Sequence, residues 1–413
     1  MSDGKDKNFI NETVAKKKKS PKEVLKNSAF FCVEALAFGV IAALAFSWME
    51  PRISKLIDNK KGDVITIDNH ATTSEEEIKV SEDSVSDADS HETNRQPLYY
   101  TKEGMNKLLS SIVQIEGKID VLDEKGKVVG EEFTFTSGAI ISTGANTIIL
   151  TDYESVKESD ILKVTFDNDT QCNASVISVD RQLGIAVISA KTEHKFDESY
   201  LPKKNIFGNS DDVAMGDELM YVGVSEGVGV INVDCEILTT DNILQYADVI
   251  YSMFTTDLAS NVAKNGFLYN SNNQLVGMIA HPENNGIKDL VAALGTTDIR
   301  AIVEKMSNGK SLPYMGINGS TVTDELKEYV NPDMPYGVYV TRVDTNSPAY
   351  DVGILNGDII TEVAGIKIDS VKSFSNVLKN LNEGNAVEVN VKRYGKNEYK
   401  KLTFNVIIGG KDN

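Results

Sequence analysis

The chain has 413 residues, of which 25% are charged and 41% hydrophobic, with a formal net charge of −19. That composition describes a mostly globular protein long enough for two or three domains, and its acidic balance excludes nucleic acid as a partner, because phosphate binding needs clustered Lys and Arg. Cys32, Cys172 and Cys235 match no metal-ligand spacing, so neither a metal nor a cofactor is expected, and the sequence leaves open whether Cys172 and Cys235 pair.

Residues 1–28 form a basic tail that includes Lys16 to Lys19, Lys22 and Lys26. The apolar run 29–49 then supplies about 30 Å of helix at about 1.5 Å per residue, enough to span a bilayer core. It is longer than the core of a cleavable signal peptide, and Trp48 and Pro51 read as an interfacial anchor and a helix stop. Glu34 falls within its first turns, near enough to the interface to be tolerated. The positive-inside rule keeps residues 1–28 cytoplasmic and everything after Pro51 outside. A single-pass membrane protein with extracytoplasmic domains is expected. Residues 50–98 are acidic and Ser-rich, the composition of a solvated linker or stalk.

From residue 99 to 309 the pattern changes. "GMNKLLSSIVQIEGKI" predicts a short helix and a strand. Short runs rich in Val, Ile, Thr and aromatics follow, among them "EFTFTSGAIIS", "TIILTD", "ILKVTFD", "LGIAVISA", "ELMYVGV", "DVIYSMFT" and "QLVGMIA". Gly, Asn and Asp punctuate them, so a β-sandwich or pair of barrels is predicted. The polar stretch Thr255 to Asn270 reads as a loop between two strands. The helix "TTDIRAIVEKMSNG" closes the region, with Thr297 or Asp298 to cap it and Gly309 after its end.

The order of these runs, and above all "FGNSDDVAMGDELMYVG", resembles the trypsin-like domain of the HtrA/DegP family of envelope serine proteases. The resemblance implies two six-stranded β-barrels with an active site between them. The fold class is then mostly β, a trypsin-like double barrel plus an α+β PDZ domain, after one N-terminal transmembrane helix. The family's chemistry needs a Ser nucleophile, a His base, an Asp to orient the imidazole, and N–H groups for the oxyanion. Matched onto the family's motifs, the His slot holds Glu154, the Asp slot Gly184 and the Ser slot Asn265, while Ala263 stands in the oxyanion turn and Phe267 adds bulk. None of the three can perform its slot's role, so no catalytic residue is assigned. The chain has four histidines, His70, His91, His194 and His281, and none lies in a pattern that builds the triad. Ser260 and Lys264 have the residue types of a dyad, but in a loop a spacing of four carries no geometry.

Residues 312–409 resemble a PDZ domain of the bacterial HtrA type, most specifically in "GVYVTRVDTNSPAYDVGILNGDIITEVAGIKI". The resemblance implies that Tyr314, Met315, Gly316 and Ile317 form the loop whose N–H groups receive a peptide's C-terminal carboxylate. The peptide then adds a strand beside Ile317 and Asn318. Phe374 and Val377, on the amphipathic run "SVKSFSNVLKNL", are candidate pocket walls. The function expected is a membrane-anchored pseudoprotease that binds protein C-termini or unfolded segments in envelope quality control or regulation. The alternatives are an active serine endopeptidase and a stalked adaptor with a blocked PDZ groove. The resemblance further implies a homotrimer or docking to an active relative, neither of which any residue encodes.

Overall fold

The computed structural model describes residues 64–67 and 102–411 apart from 194, 197–199 and 280–288. The basic tail and the expected span at 29–49 lie outside the described residues, as do all four histidines. Among the described residues no helix is long and apolar enough to cross a membrane.

After a short helix, α1 (Lys102–Leu109), six strands close a barrel: β1 (Ile112–Leu122), β2 (Val128–Ser142), β3 (Asn146–Asp152), β4 (Ile161–Thr165), β5 (Gln171–Asp180) and β6 (Ile185–Lys191). Their order around the barrel is β1-β2-β3-β6-β5-β4. A second barrel follows with β7 (Glu218–Ser225), β8 (Gly229–Tyr246), β9 (Val249–Ala259), β10 (Gly266–Tyr269), β11 (Leu275–Ile279) and β12 (Leu290–Gly295). Its circular order, β7-β8-β9-β12-β11-β10, repeats that of the first barrel. The predicted double barrel is therefore present, and its two halves share one connectivity that sequence similarity does not disclose. Closure leaves no strand edge in either barrel, so the backbone donors and acceptors of these short strands pair internally.

Burial explains which runs were easiest to read. The run "TIILTD" within β3 is buried throughout, and so is β11. Strand β10 carries no warning in the sequence, being four residues long. It turns the predicted loop Thr255 to Asn270 into the end of β9, a tight turn, and a buried strand paired with β7 and β11. Cys172 and Cys235 are buried, unpaired, and in different barrels.

Helix α2 (Thr296–Ser307) follows β12. Its N-cap is Gly295, with no side-chain cap. The two residues expected to cap it are engaged elsewhere. Thr297 Oγ1 accepts the Ser210 N–H and donates to Asn209 Oδ1, both at 2.9 Å. Asp298 Oδ2 accepts the Ser252 N–H at 2.7 Å. Residues 65–67, which composition assigns to the solvated linker, run against this helix. Asn308 holds Ile65 through both backbone groups, at 2.9 and 2.8 Å, and Ile65 and Ile67 pack on the barrel core. Their alternating apolar side chains make that placement favourable inside an otherwise acidic stretch.

The C-terminal domain opens with β13 (Leu312–Tyr314), which pairs with the last strand, β20 (Gly409–Lys411). Its main sheet runs β14 (Ile317–Thr321), β15 (Val338–Val343), β16 (Ile359–Val363), β18 (Ala386–Gly395) and β19 (Glu398–Ile407), with β17 (Ile366–Lys367) beside β16. Helices α3 (Asp324–Val330), α4 (Pro348–Asp351) and α5 (Val371–Asn380) complete it. Ser347 caps α4, and a Ser370–Ser373 capping box starts α5.

The barrels and this domain meet through a buried ion pair. Lys379 Nζ on α5 lies 3.0 Å from Asp298 Oδ1 on α2, with both side chains 4% exposed. The same ammonium donates to Ile250 O at 3.0 Å and sits over the Tyr251 ring. Burial pushes the Asp298 carboxyl up, but the Lys379 charge and the Ser252 hydrogen bonds outweigh it and hold the group below its ordinary value. Burial draws the Lys379 ammonium below its ordinary value, against the raising effect of the Asp298 charge. Removing one partner strands a buried charge, so Lys379→Met is expected to cost about 3–5 kcal/mol. Adding Asp298→Asn, which removes that charge and keeps an acceptor for Ser252, is expected to recover much of the loss. Thermal unfolding of the two variants checks both.

Candidate functional site

Two places in the fold hold the residues singled out by sequence. The first lies where the barrels meet. The turn after β3 begins at buried Asp152, whose Oδ2 accepts the Ser155 N–H at 2.9 Å. Thr134 Oγ1 donates to Ser155 O at 2.7 Å, tying the turn to β2. The β5–β6 turn is wound by Asp180, whose Oδ1 accepts the N–H groups of Gln182 and Leu183. It ends on Gly184 at φ 69°, the left-handed region that suits glycine. Tyr153 N–H donates to Gly184 O at 2.9 Å, so the two turns meet through the backbone.

Asn265 enters from the second barrel. Its carbonyl accepts the Tyr221 hydroxyl at 2.8 Å, and its Nδ2 lies 3.3 Å from Ser155 Oγ. The three turns carrying Glu154, Gly184 and Asn265 are thus brought together. The side chain that faces Asn265 is nevertheless Ser155, one residue beyond Glu154. Glu154 turns outward, 47% exposed, and pairs with Lys157 at 2.7 Å. This one-residue offset follows from the Asp152–Ser155 bond, which winds the turn so that position 155 points at the second barrel.

Ala263 is buried, and its N–H donates to Ala259 O at 3.2 Å, so this donor is engaged within the turn. Gly266 has φ 140°, and a Cβ there would approach Val222 O to 2.6 Å, which fixes glycine after Asn265. Phe267 is buried in the barrel core. The turns carrying Glu154, Gly184 and Asn265 therefore meet between the barrels, with Ser155 and Asn265 side by side. Ser155 Oγ has the Asn265 amide donor beside it.

The second place is the loop between β13 and β14. The N–H groups of Met315, Gly316 and Ile317 converge on one carboxylate, as the sequence implies for a peptide terminus. That carboxylate belongs to Asp248 of the β8–β9 hairpin. Its Oδ2 accepts from Met315 at 2.8 Å and Gly316 at 2.7 Å, and its Oδ1 accepts from Ile317 at 2.7 Å. The Asp248 N–H donates to Ile317 O at 2.6 Å. Tyr314 flanks the loop, its hydroxyl on Asp344 Oδ2 at 3.1 Å. Phe374 is buried in the domain core and Val377 lies at its edge. On α5 the side chains that meet the hairpin are Ser375 and Lys379, which bind Ile250 N and O. Sequence reading missed Asp248, because only an Asp at the tip of a two-residue hairpin marks it.

Asp248 is fully buried. Burial, with a smaller push from the nearby Asp344 charge, raises its carboxyl to about 6 against the lowering effect of the three loop N–H groups. Arg342 pairs with Asp344 at 3.3 Å and is largely exposed.

Comparison with known proteins places these sites in context. Residues 313–408 match the PDZ domain family. The chain is 25% identical over 281 residues to a probable periplasmic serine endoprotease, DegP-like, of Halomonas elongata, a match covering 67% of this chain and 57% of that one. It is 25% identical over 294 residues to the serine protease Do-like HtrA of Lactobacillus helveticus, covering 66% and 68%. The matched part thus spans between about half and two thirds of these relatives' length. Among solved structures, the HtrA-type protease AlgW with a decapeptide superposes with a TM-score of 0.56 at 18% identity, covering 75% of this chain and 98% of that one. That likeness establishes the fold.

Docked Asp248 holds its proton up to about 6, whereas a free aspartate releases it near 4. The contact therefore contributes most when the group is protonated, and weakens as pH rises from about 4 to about 6. The melting temperature of the wild type relative to Asp248→Asn is expected to fall between about pH 4 and 6, then level off. Thermal scans across that range check the slope.

Proposed function

We infer, from the premise that this chain is HtrA/DegP-like, a trypsin-like double barrel followed by a C-terminal PDZ domain, that it is a pseudoprotease. It is anchored by the apolar run 29–49 and works outside the cytoplasm, where it binds protein C-termini or unfolded segments through the PDZ loop. Its role is protein quality control or regulation in the envelope.

One observation carries the reading. Asn265 occupies the nucleophile position, and the side chain facing it is Ser155, a hydroxyl with an amide donor for a partner. Hydrolysis of an amide needs a nucleophile whose proton is removed as it attacks. A carboxamide is a poor nucleophile, and the glycine at 184 leaves no carboxylate to orient a base. The loop at 314–317 keeps three convergent N–H donors. Donors of this kind retain a use in binding when the catalytic residues are lost.

The competing reading is an active endopeptidase, favoured by the names of the relatives. Full-length protein in detergent micelles, incubated with an unfolded casein and a serine-reactive phosphonate, separates the two. The expected result is cleavage at the buffer rate and no labelling. Asn265→Ser is expected to stay at that rate, because a hydroxyl without a base lacks most of the roughly 10⁶-fold acceleration a triad supplies. Cleavage by the wild type that disappears in Ser155→Ala or Asn265→Ala would sink the pseudoprotease reading.

A further inference from the structure

We propose that the β8–β9 hairpin is a built-in ligand of the PDZ domain, with the Asp248 side chain standing in for a peptide's terminal carboxylate. The groove is thereby held by the chain itself, and an external C-terminus must displace the hairpin to bind. The proposal rests on the reading of the 314–317 loop as a carboxylate receptor and adds how access to it is regulated.

Four observations carry it. Both carboxylate oxygens of Asp248 are taken by successive loop N–H groups, and the Asp248 N–H returns a bond to Ile317 O. A terminal residue entering beside β14 offers the same set, two oxygens and one N–H. Second, β14 pairs with β15 on one side only, and the hairpin lies along the other, where Gln245 Nε2 donates to Gly319 O at 2.7 Å. Third, the opposite wall of the groove is engaged by the same hairpin. Ile250 N–H reaches Ser375 Oγ at 3.1 Å, Ile250 O accepts from Lys379, and the Ile250 side chain packs on the domain's apolar core. A strand bracketed by a sheet edge and a helix occupies the position of a bound peptide.

The fourth observation is the backbone at the tip. Asp248 has φ 71°, the left-handed region, where glycine is at ease and aspartate is among the side-chain-bearing residues that adopt it most readily. The turn alone would be satisfied by glycine. An aspartate there supplies the one thing glycine lacks, a carboxylate.

Glycine at 248 is also the clean test, since it removes the carboxylate and relaxes the turn. Full-length wild type and Asp248→Gly are compared in two measurements. Hydrogen–deuterium exchange follows the Met315, Gly316 and Ile317 amides. Fluorescence anisotropy follows decapeptides ending in Val, Ala or Phe, each with a free carboxylate or a C-terminal amide. Faster exchange at the three amides, together with binding of free-acid peptides at least tenfold tighter in Asp248→Gly and no gain for the amides, supports the proposal. Unchanged exchange with unchanged peptide affinity overturns the internal ligand and leaves the PDZ reading intact. Faster exchange with no peptide bound by either protein overturns the proposal by removing the peptide-binding reading beneath it. Asp248→Ala, which lacks glycine's backbone freedom, is expected to show the same direction of change and confirms that the carboxylate, not the turn, is responsible.

Discussion

A carboxylate removed from water must find donors, and three backbone N–H groups aimed at one point must find an acceptor. In this chain each requirement is met by the other. Asp248 comes from the second barrel and the N–H groups from the C-terminal domain, so satisfying both ties the two together. The rest of the junction follows from that contact. With the hairpin tip in the loop, Ile250 falls against α5, and its carbonyl and N–H need partners there. Ser375 and Lys379 provide them. Burying the Lys379 ammonium in turn requires a counter-charge, which Asp298 supplies from α2. That engagement also explains why α2 begins without a side-chain cap.

The site between the barrels shows the opposite economy, in that its architecture does not depend on catalytic residues. The turn after β3 is wound by Asp152 and pinned by Thr134, and the turn before β6 by Asp180. Asn265 is fixed through its carbonyl by Tyr221, and the following glycine is required by the closeness of Val222 O. These bonds involve backbone groups and side chains other than those of Glu154, Gly184 and Asn265. The turns therefore do not depend on the side chains at those three positions, and a fold of this kind can carry different chemistry or none.

Much of the fold was legible because most strands are short, apolar and bounded by turn residues. Strand β3 carries the run Ile-Ile-Leu and β6 the run Ile-Ala-Val-Ile, short apolar runs of the kind found in strands buried on both faces. What was not legible has local physical causes. Strand β10 is four residues long, and the Asn and Lys ahead of it make the whole stretch look like a loop. Thr297 and Asp298 have the composition of caps, yet tertiary partners claim them. Residues 65–67 pack because of two apolar side chains, Ile65 and Ile67, that the surrounding acid conceals. At the candidate site, the side chain that faces Asn265 is Ser155 and not Glu154, because facing is set by the Asp152 bond and not by spacing. Asp248 was invisible for a different reason. Its importance comes from a partner 67 to 69 residues away, and nothing in "QYADVIYS" indicates that partner.

The geometry of the hairpin also constrains what moves if a peptide takes its place. From Asn242 to Met253 the two strands pair with each other without interruption. Strand β12 joins β9 only from Met253 onward. The tip is therefore a two-stranded ribbon extending from a closed barrel. Its turn cannot leave the loop alone, since Ile250 and Ser252 are tied to α5 and α2 only a few residues away, Ile250 by Ser375 and Lys379 and Ser252 by Asp298. Loss of the Asp248 contact without loss of that pair would leave the ribbon clamped from the other side. Release is for this reason expected to be cooperative, a separation of the C-terminal domain from the barrels and not a local fraying of the tip. The buried ion pair and the Asp248 contact thus hold the ribbon from two sides, and separation has to break both.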